Sequence, residues 1–142
     1  MSLIHLVLPS GDVAASGNRG AYTIPLSNPL QLDNSSEWEV AMVSASFPHP
    51  GNGYSVFISC SLCDYSRVGS VMSQLLFRVA PSNTQALARA IQDSVIVYMP
   101  ISGNVFNSIT VNLTYANNLP IPAALLPADD FSTVDIIIRK VR

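Results

Sequence analysis

The chain has 142 residues, 49% of them hydrophobic and only 11% charged, with seven basic residues against nine acidic ones and a net charge of −2. Apolar content this high with so little charge excludes a disordered chain, and without a basic stripe a dedicated nucleic-acid binder is excluded too. No apolar run approaches the roughly 18 residues of a membrane span, so none is expected.

The elements read in chain order as short β runs between turn signals. The first is Ile4 to Leu8, ended by Pro9-Ser10-Gly11-Asp12. No Lys or Arg precedes that apolar stretch, which makes it a poor signal peptide. Next come Ala21 to Pro25, Glu37 to Phe47 and Tyr54 to Cys63. Clusters of Gly, Pro, Asn and Asp separate them, each a turn former for its own backbone reason. Leu75 to Val79 follows. The stretch Thr84 to Gln92 breaks the pattern: it is Ala-rich, free of Gly and Pro, and opened by the Ser82/Gln85 spacing of a capping box. It predicts one short helix crossing a sheet edge. Val95 to Met99, Ser108 to Tyr115 and Thr133 to Val141 complete the set. In Ser108 to Tyr115, period-two alternation turns Ile109, Val111, Leu113 and Tyr115 inward, and in the last run Val134, Ile136 and Ile138 share one face. About eight short strands at this spacing, with no internal repeat and no linker, predict a single all-β domain over 1–142, a sandwich or barrel.

Chemistry-bearing motifs are scarce. Cys60 and Cys63 have the C-x-x-C spacing, but they fall in a run that reads as a strand, where residues three apart face opposite ways. Zinc would need further ligands, so the two thiols read as small core hydrophobes. Glu37 and Glu39 flank Trp38 and share a strand face, reading as a surface and a rim carboxylate. Asp129-Asp130 lies in a loop that lacks an Asp-x-Asp-x-Asp-Gly calcium pattern. His49, between Pro48 and Pro50, reads as structural or as an interface contact. Gly51-Asn52-Gly53 has no helix after it to make a phosphate loop, and neither a P-loop nor a G-x-S-x-G elbow occurs. The sequons at Asn34 and Asn112 read as chance matches. The expectation is a protein that is not an enzyme, with no cofactor, no catalytic residue and no metal site.

The surface points to assembly. Ser and Asn stand where Lys and Glu are usual, and a small domain with so few charges keeps much of its surface against neighbours.

A resemblance gives that reading a context. Leu30-Gln31-Leu32 followed by Glu37-Trp38-Glu39-Val40-Ala41-Met42 and Phe47-Pro48-His49 resembles the L-x-L … W-E-V-A-L … (Y/F)-P-(H/N) pattern of small capsid-associated proteins of Polinton (Maverick) elements and related viruses. In the same order, Cys63-Asp64 with Val68-Gly69, Gln74 to Val79, Val97 to Ile101, Phe106 to Ile109 and Ile136 to Lys140 resemble further stretches of that family. Two departures stand out: Phe77 is inserted before Arg78, and Ile138 replaces an aromatic. The resemblance implies a virion structural protein, a minor capsid or penton-type (vertex) component with a jelly-roll fold.

The expected protein is therefore a single jelly-roll β-sandwich of about eight strands and one short helix. It would self-associate into a closed ring, a pentamer by preference, and meet other capsid proteins in the virion, which assembles inside the host cell. Trp38, the single tryptophan, is the candidate anchor, either of the core or of an intersubunit contact. The alternative is a lectin-like or receptor-binding β-sandwich such as a fibre head. That reading would need exposed aromatics or a calcium cluster, whereas Tyr22, Tyr54, Tyr65, Tyr98 and Tyr115 are scattered.

Overall fold

The computed structural model describes residues 3–10, 20–92, 95–115, 119, 121–122 and 132–141. The Asp129-Asp130 loop and the turns around 11–19 and 116–118 lie outside the described residues.

Among the described residues, eleven strands run in chain order: β1 Leu3–Pro9, β2 Ala21–Gln31, β3 Trp38–His49, β4 Tyr54–Cys60, β5 Ser66–Val68, β6 Val71–Ser73, β7 Leu75–Ser82, β8 Ala86–Ile91, β9 Met99–Pro100, β10 Val105–Thr114 and β11 Thr133–Lys140. A first sheet has the order β1-β11-β3-β8, with the short β9 also on β3. A second has the order β2-β10-β4-β7, and β5 and β6 form a separate hairpin. All pairings are antiparallel. The eight long strands pair in a nested way, first with last: β1 with β11, β2 with β10, β3 with β8, β4 with β7. Successive long strands alternate between the two sheets, except that β4 is followed by β7 of its own sheet.

Period-two patterning builds the core of this β-sandwich. Leu8, Val40, Met42, Phe47, Val134, Ile136 and Ile138 of the first sheet pack in one buried cluster with Tyr22, Val56, Ile58, Ile109, Val111 and Leu113 of the second. Register keeps each face together: Ile136 lies opposite Met42 and Ile138 opposite Val40, while a bulge between Asp135 and Ile136 lets Val134 face Ala45. The alternations expected at 109–113 and 134–138 are those of the structure, with all six of these apolar residues buried.

One polar bond crosses this core. The Tyr22 hydroxyl donates to the Leu8 carbonyl at 2.7 Å, joining the two sheets. Burial pushes the Tyr22 hydroxyl above its ordinary range, helped by the neighbouring Cys60 thiol.

Two expected elements are corrected. The stretch Thr84 to Gln92 holds no helix; Ala86–Ile91 is a strand. Helix propensity is a weak preference, and here pairing overrides it. The strand aligns with Ser44–His49 of β3, an edge that a helix would leave without hydrogen-bond partners. Its half-buried Ala86, Ala88 and Ala90 alternate with exposed Leu87, Arg89 and Ile91. The capping box does not form: the Ser82 hydroxyl accepts from the Thr84 amide at 3.1 Å. Likewise Val95 to Met99 is not a strand, and only Met99–Pro100 pairs with β3. The Val97 amide donates instead to the Gln92 side chain at 3.1 Å.

The Tyr22 bond predicts a pH dependence. Its folded ionisation lies above the unfolded value of about 10, so its contribution is complete below that pH and is lost as pH rises beyond it. Denaturant midpoints measured from pH 7 to 11 should fall above about pH 10. Tyr22→Phe should be less stable by about 1 kcal/mol at pH 7 and show a shallower alkaline decline.

Candidate functional site

The residues around Trp38 form a concavity. Trp38 opens β3 and lies opposite Lys140 of β11. Its ring is half-buried, packed on the edge of the core rather than in its centre. The indole Nε1 donates to the Asp33 carbonyl at 2.9 Å. Asp33 sits in a tight turn in which its carboxylate accepts from the Ser35 amide at 3.0 Å and the Ser35 hydroxyl at 2.8 Å. These bonds hold the exposed Asp33 carboxyl below its usual range. Two backbone bonds fasten the surroundings, from Val141 to the Glu37 carbonyl at 2.7 Å and from Ile101 to the Trp38 carbonyl at 3.1 Å.

A groove of about 780 Å³ results, with Asp33, Asn34, Ser36, Glu37, Glu39 and Asn104 as its polar lining and Trp38, Pro100, Ile101 and Val141 as its apolar part. Of its carboxylates, Glu39 pairs with Arg139, whose guanidinium lies 3.5 Å from the centre of the Tyr98 ring. Asp33 has Lys140 at 3.8 Å. Glu37 is exposed at the mouth. Chemically the groove offers amides, a hydroxyl, largely compensated carboxylates and the side of an aromatic ring. That set suits a neutral polar ligand or a partner's loop.

The other sequence candidates fall elsewhere. Cys60 and Cys63 do not face apart. Cys60 ends β4, a turn follows, and the Cys63 amide donates to the Cys60 carbonyl at 3.0 Å. The turn reverses the alternation assumed for an unbroken strand and brings both thiols together inside the core. Contact with Cys60, followed by burial, pushes the Cys63 thiol up. His49 is buried, and its Nδ1 accepts from the Gly51 amide at 2.9 Å, so this glycine amide is not free for a phosphate. Gly51 has φ +73°, and a Cβ there would lie 2.8 Å from the Gln85 amide nitrogen, so the turn requires glycine. Among the described residues, no group of three or more metal-ligating side chains converges. Asn34 is exposed in its turn, whereas Asn112 lies half-buried within β10.

Sequence reasoning missed Gln92, which it placed at the end of a helix. Its buried side chain donates to the Met42 carbonyl at 2.5 Å and its own amide donates to the Val43 carbonyl at 2.9 Å. Those carbonyls belong to the gap on β3 between the segments paired with β8 and with β9. A polar residue with amide donor and acceptor, directly after an alternating run, was the available signal.

No protein-family model matches the chain, and no curated protein matches it. No helix among the described residues is long and apolar enough to cross a membrane.

The half-burial of Trp38 sets a magnitude. Trp38→Ala should cost about 2 kcal/mol, less than the ~3–5 kcal/mol of emptying a fully buried aromatic site. Chemical unfolding of the two proteins measures it. A cost near zero would show that the indole contributes nothing to the core.

Proposed function

We propose that the chain is a non-enzymatic virion structural protein, a single jelly-roll subunit acting as a minor capsid or penton-type component that closes into a ring. The nested strand pairing carries the reading. In a jelly roll, a long antiparallel hairpin of eight strands is rolled into two four-stranded sheets. The orders β1-β11-β3-β8 and β2-β10-β4-β7 suit that description. Fold alone does not define function, so the family resemblance and the surface supply the rest.

The surface supports assembly in two ways. The outward residues of the second sheet include uncharged hydroxyls and an amide, among them Thr23 and Thr110, whose hydroxyls meet at 2.8 Å, and Asn112 two residues further along β10. The first sheet exposes large aliphatic side chains at its two edges. Both surfaces lose little on dehydration compared with a charged one. In this reading the groove beside Trp38 receives a neighbour's loop, and the partners are further copies and other capsid proteins within the shell.

The groove also favours a second reading, a lectin-like or receptor-binding module holding a neutral glycan against Trp38. A glycan array with the purified protein separates the two: specific binding abolished by Trp38→Ala would support the second.

For the first reading, sedimentation and native mass measurement should give one discrete oligomer larger than a dimer, unchanged across a sodium chloride series from about 0.1 to 1 M. Exposed ion pairs contribute about 1 kcal/mol or less and are screened by salt, whereas apolar and hydroxyl contacts are not. A monomer at every concentration would overturn the reading, and dissociation at moderate salt would show an electrostatic interface instead.

A further inference from the structure

We infer that copies of this chain join edge to edge through the first sheet, β8 of one copy pairing antiparallel with β1 of the next. The inference rests on the self-association proposed above and names its surface.

The edges of the two sheets are built differently. An open edge strand presents unpaired N–H and C=O groups and invites another strand, and proteins usually block it with proline or charge. In the second sheet both edges are blocked: β2 carries Pro25 and Pro29, and β7 carries Arg78 and Pro81. The first sheet is less protected, with no edge strand carrying both a charge and a proline. β8 reads Ala-Leu-Ala-Arg-Ala-Ile, with no proline and one charge. β1 reads Leu-Ile-His-Leu-Val-Leu before its terminal Pro9. Among the described residues no strand covers the outer edge of either. Four of their six outward side chains are large, aliphatic and open, Leu3 59%, Val7 54%, Leu87 51% and Ile91 56% exposed, with His5 and Arg89 between them.

The two edges also fit each other. β1, β11, β3 and β8 are antiparallel in succession, so β1 and β8 run in opposite directions. A head-to-tail neighbour turned about an axis along the strands therefore meets antiparallel, the pairing a strand edge accepts. The lengths match, seven residues against six. Setting His5 opposite Arg89 places Leu3 opposite Ile91 and Val7 opposite Leu87, which closes the exposed aliphatic side chains on one another. On the inner face the same register sets Ile4, Leu6 and Leu8 beside Ala90, Ala88 and Ala86, large against small. A contact between two different edges is heterologous, the kind that builds a ring where its rotation closes and a filament where it does not.

Two lysine substitutions test this, Val7→Lys on β1 and Ile91→Lys on β8, with Val105→Lys as a control at an exposed position of β10. Circular dichroism and thermal unfolding check that each variant folds. Leu3→Lys and Leu87→Lys replace either that does not. Sedimentation should show the wild type and Val105→Lys assembled and each edge variant monomeric. Mixing the two edge variants should restore one junction only, between the intact β8 of Val7→Lys and the intact β1 of Ile91→Lys, giving a dimer and nothing larger. Edge variants that assemble like the wild type would overturn the edge pairing while leaving self-association standing. Either variant dimerising alone would show like-with-like pairing and overturn the head-to-tail arrangement. A monomeric wild type would overturn both the pairing and the reading beneath it.

Discussion

Strand β3 is the constraint on which the other elements depend. One of its edges is taken by β11 along nearly its whole length, from Trp38 to Ser46. The other is shared: β8 covers Ser44–His49 and β9 covers Glu39–Val40. Between those segments the backbone would be left buried and unpaired, at about 1–3 kcal/mol for each lost group. Gln92 closes that gap with its main chain and its side chain together. The same residue accepts from Val97 and so directs the chain away from β8 before it returns as β9. The order of the first sheet, the rim at Trp38 and the open edge of β8 all follow from how β3 is bonded.

The scarcity of charge is unevenly spread. The Glu39–Arg139 pair and Lys140 near Asp33 gather at the Trp38 end of the sandwich. On the outer face of the second sheet hydroxyls bond one another, as at Thr23 and Thr110, 2.8 Å apart. Polar groups that pair within the face demand little water, so this surface is as suited to a neighbour as to solvent. The edges of the first sheet are apolar. Composition alone announced a sparsely charged surface, and the fold sorts it into a hydroxyl-bearing face, a charged end and two edges with exposed aliphatic side chains.

How much of this was legible in the sequence depends on the residue. The inward rows of β10 and β11 were plain because their alternation is unbroken, and β3 was placed nearly to its ends. β8 was misread because alanine favours a helix locally and its alternation of small with large side chains gains meaning only against β3. The thiols of Cys60 and Cys63 were set apart by assuming an unbroken strand, since nothing in Ser61-Leu62 announces a turn. Trp38 was marked, but its position at the rim depends on the Asp33 turn and on β9, two contacts remote from one another in sequence. The groove was not legible, because residues around 33, 100 and 141 form it together.

Hydrogen–deuterium exchange at low and high protein concentration reads assembly through the first sheet strand by strand. Amides freed at a strand edge exchange fast and become protected when another strand pairs with them. With edge pairing, protection rises with concentration in β1 and β8 together while the proline-bearing edges β2 and β7 stay unchanged. Concentration-dependent protection confined to β2 or β7, or none in β1 and β8, would contradict it.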